Sequence, residues 1–303
     1  MKKIFITASF VFALVLFLLP TQSMAQSPES GIQISPVTCN YEISPGGAKD
    51  SVITLKNLGK EEIEYTIETE NFVNTTEDGA PVFAFGPVKE GVTTLANWFD
   101  FPKGKTGKIP AEGSVEVGFR ISIPKGSEPG GHYAAVFAKM IAKTEEGKTE
   151  LGVSSRVGTL FLVTVPGEVR YGAEIEELSA PKFVWAGPVT FGMKVRNTGT
   201  VHYDSKSSIS LSRALIGGET EIDMGQHTVL PGSSRVYEGK WSNKYPFGYY
   251  KLTATATAGS GNAPTLSGAI IAVPLIIVLP VIIGLILLVY LVRYIKKHVK
   301  IVK

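Results

Sequence analysis

Two Gly-Lys-Thr triplets, at 104–106 and 147–149, are the first places in this chain where residue type and spacing could do chemistry. They match the end of a phosphate-binding loop. Such a loop needs a further glycine five residues before its second glycine, so that successive backbone amides surround the phosphate. Phe99 and Ala142 occupy those two positions. The triplets are therefore predicted to be turns, and no nucleotide site is expected.

Histidines and carboxylates offer a second kind of chemistry. His202 and Asp204 are two residues apart, so one strand face could present both to a metal ion, but no third ligand is identifiable. Glu219, Glu221 and Asp223 also alternate, and a solvated strand face is favoured over a calcium site. No Gly-x-Ser-x-Gly motif occurs. The sequence predicts a protein that is not an enzyme and has neither a metal site nor a cofactor.

Aromatic side chains are the third candidate chemistry. Trp98, Phe99 and Phe101 lie close together, and a second aromatic group lies between Trp241 and Tyr250. Such residues usually pack in the core of a β-sandwich. The alternative is a platform that stacks on sugar rings or docks a protein partner. We take Trp98, Phe99 and Phe101 as the candidate ligand-binding residues, with core packing left open.

The elements that must position these residues are predicted to be strands. In the segment 114–123, apolar residues alternate with polar ones, which is typical of a strand with one buried face. Phe119 and Ile121 are expected in the core, and Arg120 on the opposite face. Pro-Gly and Gly-Gly turns separate this strand from similar ones, and no amphipathic helix is evident before residue 266.

These patterns predict an all-β fold with two tandem Ig-like β-sandwich domains, followed by a single C-terminal transmembrane helix. The first domain is placed at 26–167 and the second at 168–258, with the boundary at Pro166–Val169. An aromatic insert of irregular pattern is predicted at 71–113 of the first domain.

The N-terminal residues 1–25 have the layout of a secretory signal peptide. Lys2 and Lys3 precede an apolar run from Ile4 to Leu19, and small residues lead to a cleavage site after Ala25. An uncleaved membrane anchor is the alternative. Because the apolar run is short and a cleavage site follows it, cleavage is the favoured interpretation.

The C-terminal residues predict a membrane anchor. Residues 266–292 contain no charged side chain, and this run exceeds the roughly 20 residues that span a hydrocarbon core. A flexible stalk is predicted at 259–265. The tail 293–303 is basic, and Arg293, Lys296, Lys297 and Lys300 place it in the cytoplasm, since Lys and Arg favour that side. The rest of the chain is then an ectodomain outside the cell membrane.

Charge and cysteine content exclude some functions. Of 30 basic residues, two lie in the signal peptide and five in the tail, which leaves 23 against 27 acidic residues and an ectodomain charge of −4. A mildly acidic ectodomain gives no reason to expect nucleic-acid binding. Cys39 is the single cysteine, so an intrachain disulfide is impossible. An exported chain without disulfides fits a bacterial surface protein.

Two local motifs resemble those of a known family. Residues 123–137 form a proline-glycine turn that leads into an apolar strand, and residues 195–202 have the form Asn-x-Gly-x-x-His. Together with the architecture, they resemble the WxL-interacting surface proteins of Gram-positive bacteria. The resemblance implies that the first domain binds peptidoglycan and the second a host or partner protein. A proline expected soon after His202 in close relatives is absent.

The predicted function is that of a membrane-anchored, non-enzymatic surface protein. It would bind cell-wall polymer (peptidoglycan) or a surface protein as a scaffold or adhesin. The alternative is an accessory subunit of a membrane transport or secretion complex. Pro274 and Pro280 favour that alternative, because proline frees backbone carbonyls that neighbouring helices can satisfy. Gly268 and Ala272 would add a small-xxx-small helix contact.

Overall fold

The computed structural model describes residues 31–83, 94–141, 155–214, 217–259 and 263–298. Strands dominate these residues, and one apolar α-helix follows the last strand. The predicted signal peptide at 1–25, the second Gly-Lys-Thr triplet and Lys300 lie outside the described residues. The all-β fold class with a C-terminal apolar helix is confirmed.

The N-terminal half, residues 31–165, forms two sheets that pack face to face. The strands are β1 (Ile32–Ser35), β2 (Thr38–Glu42), β3 (Ala48–Asn57), β4 (Ile63–Thr75), β5 (Pro81–Phe83), β6 (Phe99–Asp100), β7 (Thr106–Ile109), β8 (Ser114–Ser122), β9 (Gly130–Ile141) and β10 (Arg156–Val165). One sheet has the strand order β1-β3-β8-β6; the other has the order β2-β10-β9-β4-β5, and β7 also pairs with β4. A single turn of 3-10 helix, Leu95–Trp98, lies between β5 and β6.

The core of this half lies between the two sheets, and strand β8 shows how the sequence builds it. Phe119 and Ile121 are buried, whereas Arg120 is exposed and forms two 2.7 Å hydrogen bonds with the Asp50 carboxylate on β3. The ring of Phe99 packs on Phe119 from the neighbouring strand β6, and the ring of Phe161 packs on it from β10 of the opposite sheet. The predicted alternation of β8 is confirmed.

The C-terminal half, residues 173–272, also forms two sheets. One has the order β11-β13-β16 and the other the order β12-β18-β17-β14-β15. A separate apolar core lies between them, with Phe191, Tyr237 and Leu252 fully enclosed. The strands are β11 (Ala173–Ser179), β12 (Phe183–Val184), β13 (Val189–Asn197), β14 (Tyr203–Arg213), β15 (Glu219–Val229), β16 (Ser234–Trp241), β17 (Gly248–Ala256) and β18 (Thr265–Ala272).

A buried asparagine recurs at equivalent places in the two halves. Asn57 ends β3 and Asn197 ends β13, and both side chains are buried. Each Oδ1 accepts the backbone amide two residues further on, at 2.8 Å. Each Nδ2 donates to the carbonyl four residues further on, at 2.6 Å for Asn57 and 2.9 Å for Asn197. The same side chain therefore closes the same turn in each half, a repeat that the sequence analysis did not detect.

Strand β18 corrects the predicted start of the membrane segment. Residues 265–272 pair with β17 along their whole length, from Thr265 opposite Thr255 to Ala272 opposite Gly248. The stalk predicted at 259–265 therefore lies between β17 and β18, and its last residue, Thr265, already belongs to β18. The second domain, predicted to end at 258, extends to residue 272. A short apolar strand and a membrane helix can both be free of charged residues, so composition does not distinguish them. The prediction therefore assigned β18 and the helix after it to one membrane segment.

The aromatic insert predicted at 71–113 contains several short regular elements among turns. Its first residues continue β4, and its last part contains the 3-10 helix, β6 and β7. Its aromatic residues are mostly buried: Phe72, Trp98, Phe99 and Phe101. Residues 84–93 lie outside the described residues.

Helix α1 (Leu275–His298) follows β18 after only Val273 and Pro274. Its segment Leu275–Lys297 is long and apolar enough to cross a membrane. Pro280 lies inside it, whereas the Pro274 carbonyl accepts hydrogen bonds from the first turn. Gly268 and Ala272 lie in β18, so the helix contact predicted for them is wrong.

Candidate functional site: a cleft where the two halves meet

The candidate site is a cleft of about 530 Å³ at the junction of the two halves. The N-terminal half supplies most of its walls: the end of β4, the 3-10 helix, the loop at 126–128 and the start of β9. Thr200 and Pro231 close it from the C-terminal half. Because both halves line it, the cleft exists only while they remain in contact.

Asn71 on β4 holds the 3-10 helix against the cleft. Its Nδ2 donates to the Thr94 hydroxyl at 2.8 Å, and its Oδ1 accepts the backbone amide of Ala96 at 2.9 Å. Thr94 precedes the helix and makes no side-chain cap of its own, so Asn71 replaces the usual capping residue. This pair of bonds fixes the position of Trp98, two residues further along.

Trp98 forms one wall of the cleft. It is only 5% exposed, so the partial exposure expected of a surface platform is not found. Its ring lies 4.8 Å from the His132 ring, centroid to centroid, with the planes at 52°. Its indole Nε1 is buried and has no hydrogen-bond partner among the described residues. A buried donor without a partner costs free energy, about 1–3 kcal/mol, unless something accepts its proton.

The loop before β9 forms the opposite side of the cleft. The Ser127 hydroxyl is buried and, like the Trp98 indole, has no partner within the described part of the chain. The His132 ring contacts the Glu128 carbonyl through Nε2 at 3.0 Å. Its other nitrogen, Nδ1, is then left as a hydrogen-bond acceptor. The cleft thus combines two buried donors, the Trp98 indole and the Ser127 hydroxyl, with the His132 imidazole.

The two other predicted binding residues face away from the cleft. Phe99 packs on Phe161 with ring centroids 4.9 Å apart, and Phe101 lies stacked on Phe99 at 6.2 Å. Both are buried in the N-terminal core. Trp98 lines the cleft and Phe99 and Phe101 do not, although the three are nearly adjacent in sequence. Whether Trp98 binds a ligand stays a prediction.

The two motifs that carried the family resemblance meet at this junction. The backbone amide of Gly131 donates to the Thr200 carbonyl at 3.1 Å. A Cβ added to Gly130 would lie 3.0 Å from that carbonyl oxygen, and Gly130 has a φ of +133°, so glycine allows the approach. This close approach brings Tyr133 into contact with His202, which is 69 residues further along the chain.

Tyr133, His202 and Asn40 form a closed hydrogen-bond network. The His202 backbone amide donates to the Tyr133 hydroxyl at 3.1 Å, and that hydroxyl lies 3.2 Å from His202 Nδ1. His202 Nε2 lies 3.0 Å from Asn40 Oδ1. One assignment satisfies every group: Nε2–H donates to Asn40, and Nδ1 accepts the proton of Tyr133. His202 is therefore a neutral structural residue at the junction.

Burial agrees with this assignment. It lowers the pKa of His202 to about 4, against a smaller opposing effect of Asp204, and it raises the pKa of Tyr133. Both groups are thus uncharged near neutral pH. No group of three potential metal ligands, around His202 and Asp204 or elsewhere, occurs within the residues that the structure describes.

Further contacts join the halves around the network. Lys194 forms a salt bridge with Glu77, and the Ser233 hydroxyl accepts the backbone amide of Thr75 at 3.0 Å. A small apolar cluster lies beside them, in which Leu230 of the C-terminal half packs among side chains of the N-terminal sheet. Those side chains are Phe72, Tyr133, Leu162, Phe83 and Leu160. These contacts hold the cleft walls together.

Comparison with known proteins yields structures of similar fold alone. No protein-family model matches the sequence, and no curated protein matches it. A chain of a chaperone–tip adhesin complex of CFA/I fimbriae has a TM-score of 0.41 and 14% identity, covering 79% of this chain and 98% of its own. The class 5 fimbriae chaperone CfaA has a TM-score of 0.40 and 13% identity, covering 80% and 99%. The CupB2 chaperone of Pseudomonas aeruginosa has a TM-score of 0.36 and 12% identity, covering 78% and 100%. These values are too low to carry an inference about ligand or partners.

Proposed function

We propose that this chain is a membrane-anchored, non-enzymatic surface protein whose two tandem Ig-like β-sandwich domains bind cell-wall polymer (peptidoglycan) in the cleft between them. A surface protein is the alternative ligand. The observation that carries the proposal is the pair of unpartnered buried donors, Trp98 Nε1 and Ser127 Oγ, beside the His132 ring.

The chemistry of the cleft suits a sugar polymer. Sugar hydroxyls accept hydrogen bonds from indole N–H and serine O–H groups, and the apolar face of a sugar ring packs on an aromatic side chain. Ligand sites typically combine such aromatic walls with a few well-placed polar groups. Among the described residues that line the cleft, Glu128 is the one Asp, Glu, Lys or Arg. The lining thus suits an uncharged ligand as well as a charged one.

The division into two domains is supported by the repeated asparagine turn and the two separate cores. We place the first domain at 31–165 and the second at 173–272. Two Ig-like domains followed by one apolar helix fit the architecture expected from the resemblance to WxL-interacting surface proteins. Membership of that family stays a prediction.

Anchoring follows from helix α1 and its flanks. The segment Leu275–Lys297 can span a bilayer, and Arg293, Lys296, Lys297 and Lys300 lie at its C-terminal end. Because basic residues favour the cytoplasmic side, the strands lie outside the cell in this proposal. The predicted signal peptide at 1–25 supports the same orientation.

The second candidate function is an accessory subunit of a membrane transport or secretion complex. Pro280 inside α1 favours it, because proline removes a backbone donor and leaves a carbonyl that another helix can satisfy. With Gly268 and Ala272 in β18, the support for a helix–helix contact at that end is lost.

The binding proposal is tested with His132→Ala, which removes the ring beside Trp98. We expect a more than tenfold loss of retention on purified peptidoglycan, since anchors at the centre of an interface each contribute about 2 kcal/mol or more. His227→Ala is the matched control, because His227 is a partly exposed histidine of β15 outside the cleft. Equal retention of the wild type and both variants, with thermal melting unchanged, would contradict binding in the cleft.

A further inference from the structure

An exposed row of large side chains crosses three strands of the C-terminal sheet. Phe183 on β12 pairs with Ile271 on β18, and Ile271 pairs with Tyr249 on β17. All three point away from the core and are 41–55% exposed. Exposed apolar residues are ordinary when scattered singly, but a contiguous row marks an interaction surface.

Two loops at the same end extend this row. Trp185 stacks on Phe183 with ring centroids 6.1 Å apart and planes at 8°, and it is 51% exposed. Tyr245 and Phe247, in the loop at 242–247, are also exposed. The Gly187 amide donates to the Lys244 carbonyl at 3.1 Å, so the two loops are bonded to each other. We call Phe183, Trp185, Tyr245, Phe247, Tyr249 and Ile271 the basal aromatic patch.

The patch lies where the chain leaves the sheet for helix α1. Ile271 is a member of the patch, Ala272 is the last residue of β18, and α1 begins at Leu275. Two residues, Val273 and Pro274, connect them, and the Val273 amide is itself bonded to the Val184 carbonyl at 2.8 Å. Four residue steps separate Ile271 from Leu275, and they span at most about 14 Å. A membrane that contains α1 from its first residue therefore comes within that distance of the patch.

The charges around the patch suit a lipid surface. Lys182, Lys244 and Lys251 are exposed beside it, and no acidic residue occurs at 180–190, 240–251 or 263–298. Arg213 ends the adjacent strand β14, whereas Glu219 begins the edge strand farthest from β12. Tyr and Trp with nearby Lys are the residues enriched at membrane–water interfaces.

We propose that the basal aromatic patch seats the C-terminal half on the outer surface of the bilayer that α1 spans. Trp185 and its neighbours then lie at the headgroup level, and the cleft is held at a fixed height above the membrane. This inference rests on the anchoring part of the proposed function, and it adds a lipid contact that anchoring alone does not require.

The test uses the fluorescence of Trp185 in the full chain, reconstituted into vesicles of phosphatidylcholine and phosphatidylglycerol. The chain has three tryptophans, and the other two, Trp98 and Trp241, are 5% and 6% exposed. Lipids brominated near the headgroup end of the acyl chain quench tryptophans at that depth. We expect the wild-type emission to fall by up to a third, the share of one tryptophan of three, and the fall to disappear in Trp185→Phe.

A second variant separates the failure of this inference from the failure of anchoring. Trp185→Phe combined with Ile283→Trp places a tryptophan at the middle of α1, where lipids brominated near the end of the acyl chain should quench it if the helix is inserted. Suppose that the tryptophan in α1 of the double variant is quenched, whereas Trp185 of the wild type is not quenched by lipid and stays open to aqueous acrylamide. That result overturns the seating on the bilayer and leaves the anchoring intact. It would assign the patch to a protein partner. Absence of quenching in α1 overturns both.

Discussion

At the scale of single residues, His202 decides how the two halves meet. Its backbone amide and both ring nitrogens are used in contacts with Tyr133 and Asn40 of the other half. In a charged imidazolium, Nδ1–H would have to donate to the Tyr133 oxygen, and the Tyr133 hydroxyl hydrogen would then lose the acceptor that it has now. The junction therefore requires a neutral histidine.

The first prediction is that the folded state loses stability as the pH is lowered, because His202 is buried in its neutral form. Its pKa is about 4 when folded and about 6.5 when unfolded, so between these values the unfolded chain binds the extra proton. The free energy of unfolding should therefore decrease as the pH falls from about 6.5 to about 4, by ~3 kcal/mol in all, and then level off. Urea unfolding of the detergent-solubilised chain at several pH values measures this.

His202→Gln is the control for that prediction. A glutamine amide can still donate to Asn40 and accept from Tyr133, but it does not titrate. Its slope against pH should be shallower, with a remainder from His227, whose pKa is also lowered by burial. An identical slope in His202→Gln and wild type would show that other groups carry the pH dependence.

The sequence could identify some of these residues and not others. His202 stood out by type and spacing, yet its partner Tyr133 lies 69 residues away and nothing local connects the two. Trp98 was selected among three aromatics, but its burial depends on Asn71 holding the 3-10 helix from another strand. Contacts between distant segments are set by packing, which a single sequence does not display.

At the scale of elements, the strand β8 was predictable because its alternation is strict and one of its faces is buried. Strand β18 was not, because it is apolar, uncharged and continuous with a membrane helix. Pairing with β17 is what separates the two, and pairing is a property of the neighbouring strand. Local periodicity thus identified half-buried strands and failed at the strand that precedes the anchor.

The second prediction concerns the two faces of β8. Phe119→Asp places an unpaired carboxylate in the N-terminal core and should lower the free energy of unfolding by more than about 4 kcal/mol. Ser122→Asp places the same carboxylate on the exposed face of the same strand and should change it by about 0.5 kcal/mol or less. Equal destabilisation of the two variants in chemical unfolding would contradict the observed register.

The third prediction tests whether β18 is a strand. Ile270 is fully buried between the C-terminal sheets, so Ile270→Ala should lower the free energy of unfolding by about 2–5 kcal/mol. The Ile276 side chain, in helix α1, is exposed and does not pack on the sheets, so Ile276→Ala should leave the unfolding of the sheets unchanged. If the two variants melt alike, residues 265–272 belong to the membrane segment after all.

At the scale of the whole molecule, the contacts between the halves and the start of α1 determine where the cleft lies relative to a membrane. The junction combines a salt bridge, a hydroxyl–amide bond and a small apolar cluster, all remote from α1 in sequence. The helix begins two residues after the last strand. If α1 spans a membrane, as we propose, the short connection holds the C-terminal sheets, and with them the cleft, close to that membrane.

The fourth prediction is the topology. A protease added to intact cells from which the wall has been removed should degrade the strands and spare the segment with Arg293, Lys296 and Lys297. The reason is that these basic residues favour the cytoplasmic side. An antibody against an epitope tag placed after Lys303 reports the tail; staining of unpermeabilised cells would reverse the proposed orientation.

The measurement that tests the central claim most directly blocks the cleft itself. Cys39 is buried, and burial raises the pKa of its thiol, so it reacts slowly with a maleimide. A bulky maleimide can then be attached to Glu128→Cys at the cleft, and to Glu221→Cys on β15 as the control. We predict that labelled Glu128→Cys loses peptidoglycan retention while unlabelled Glu128→Cys and labelled Glu221→Cys keep it. Full retention by labelled Glu128→Cys would contradict a binding site in this cleft.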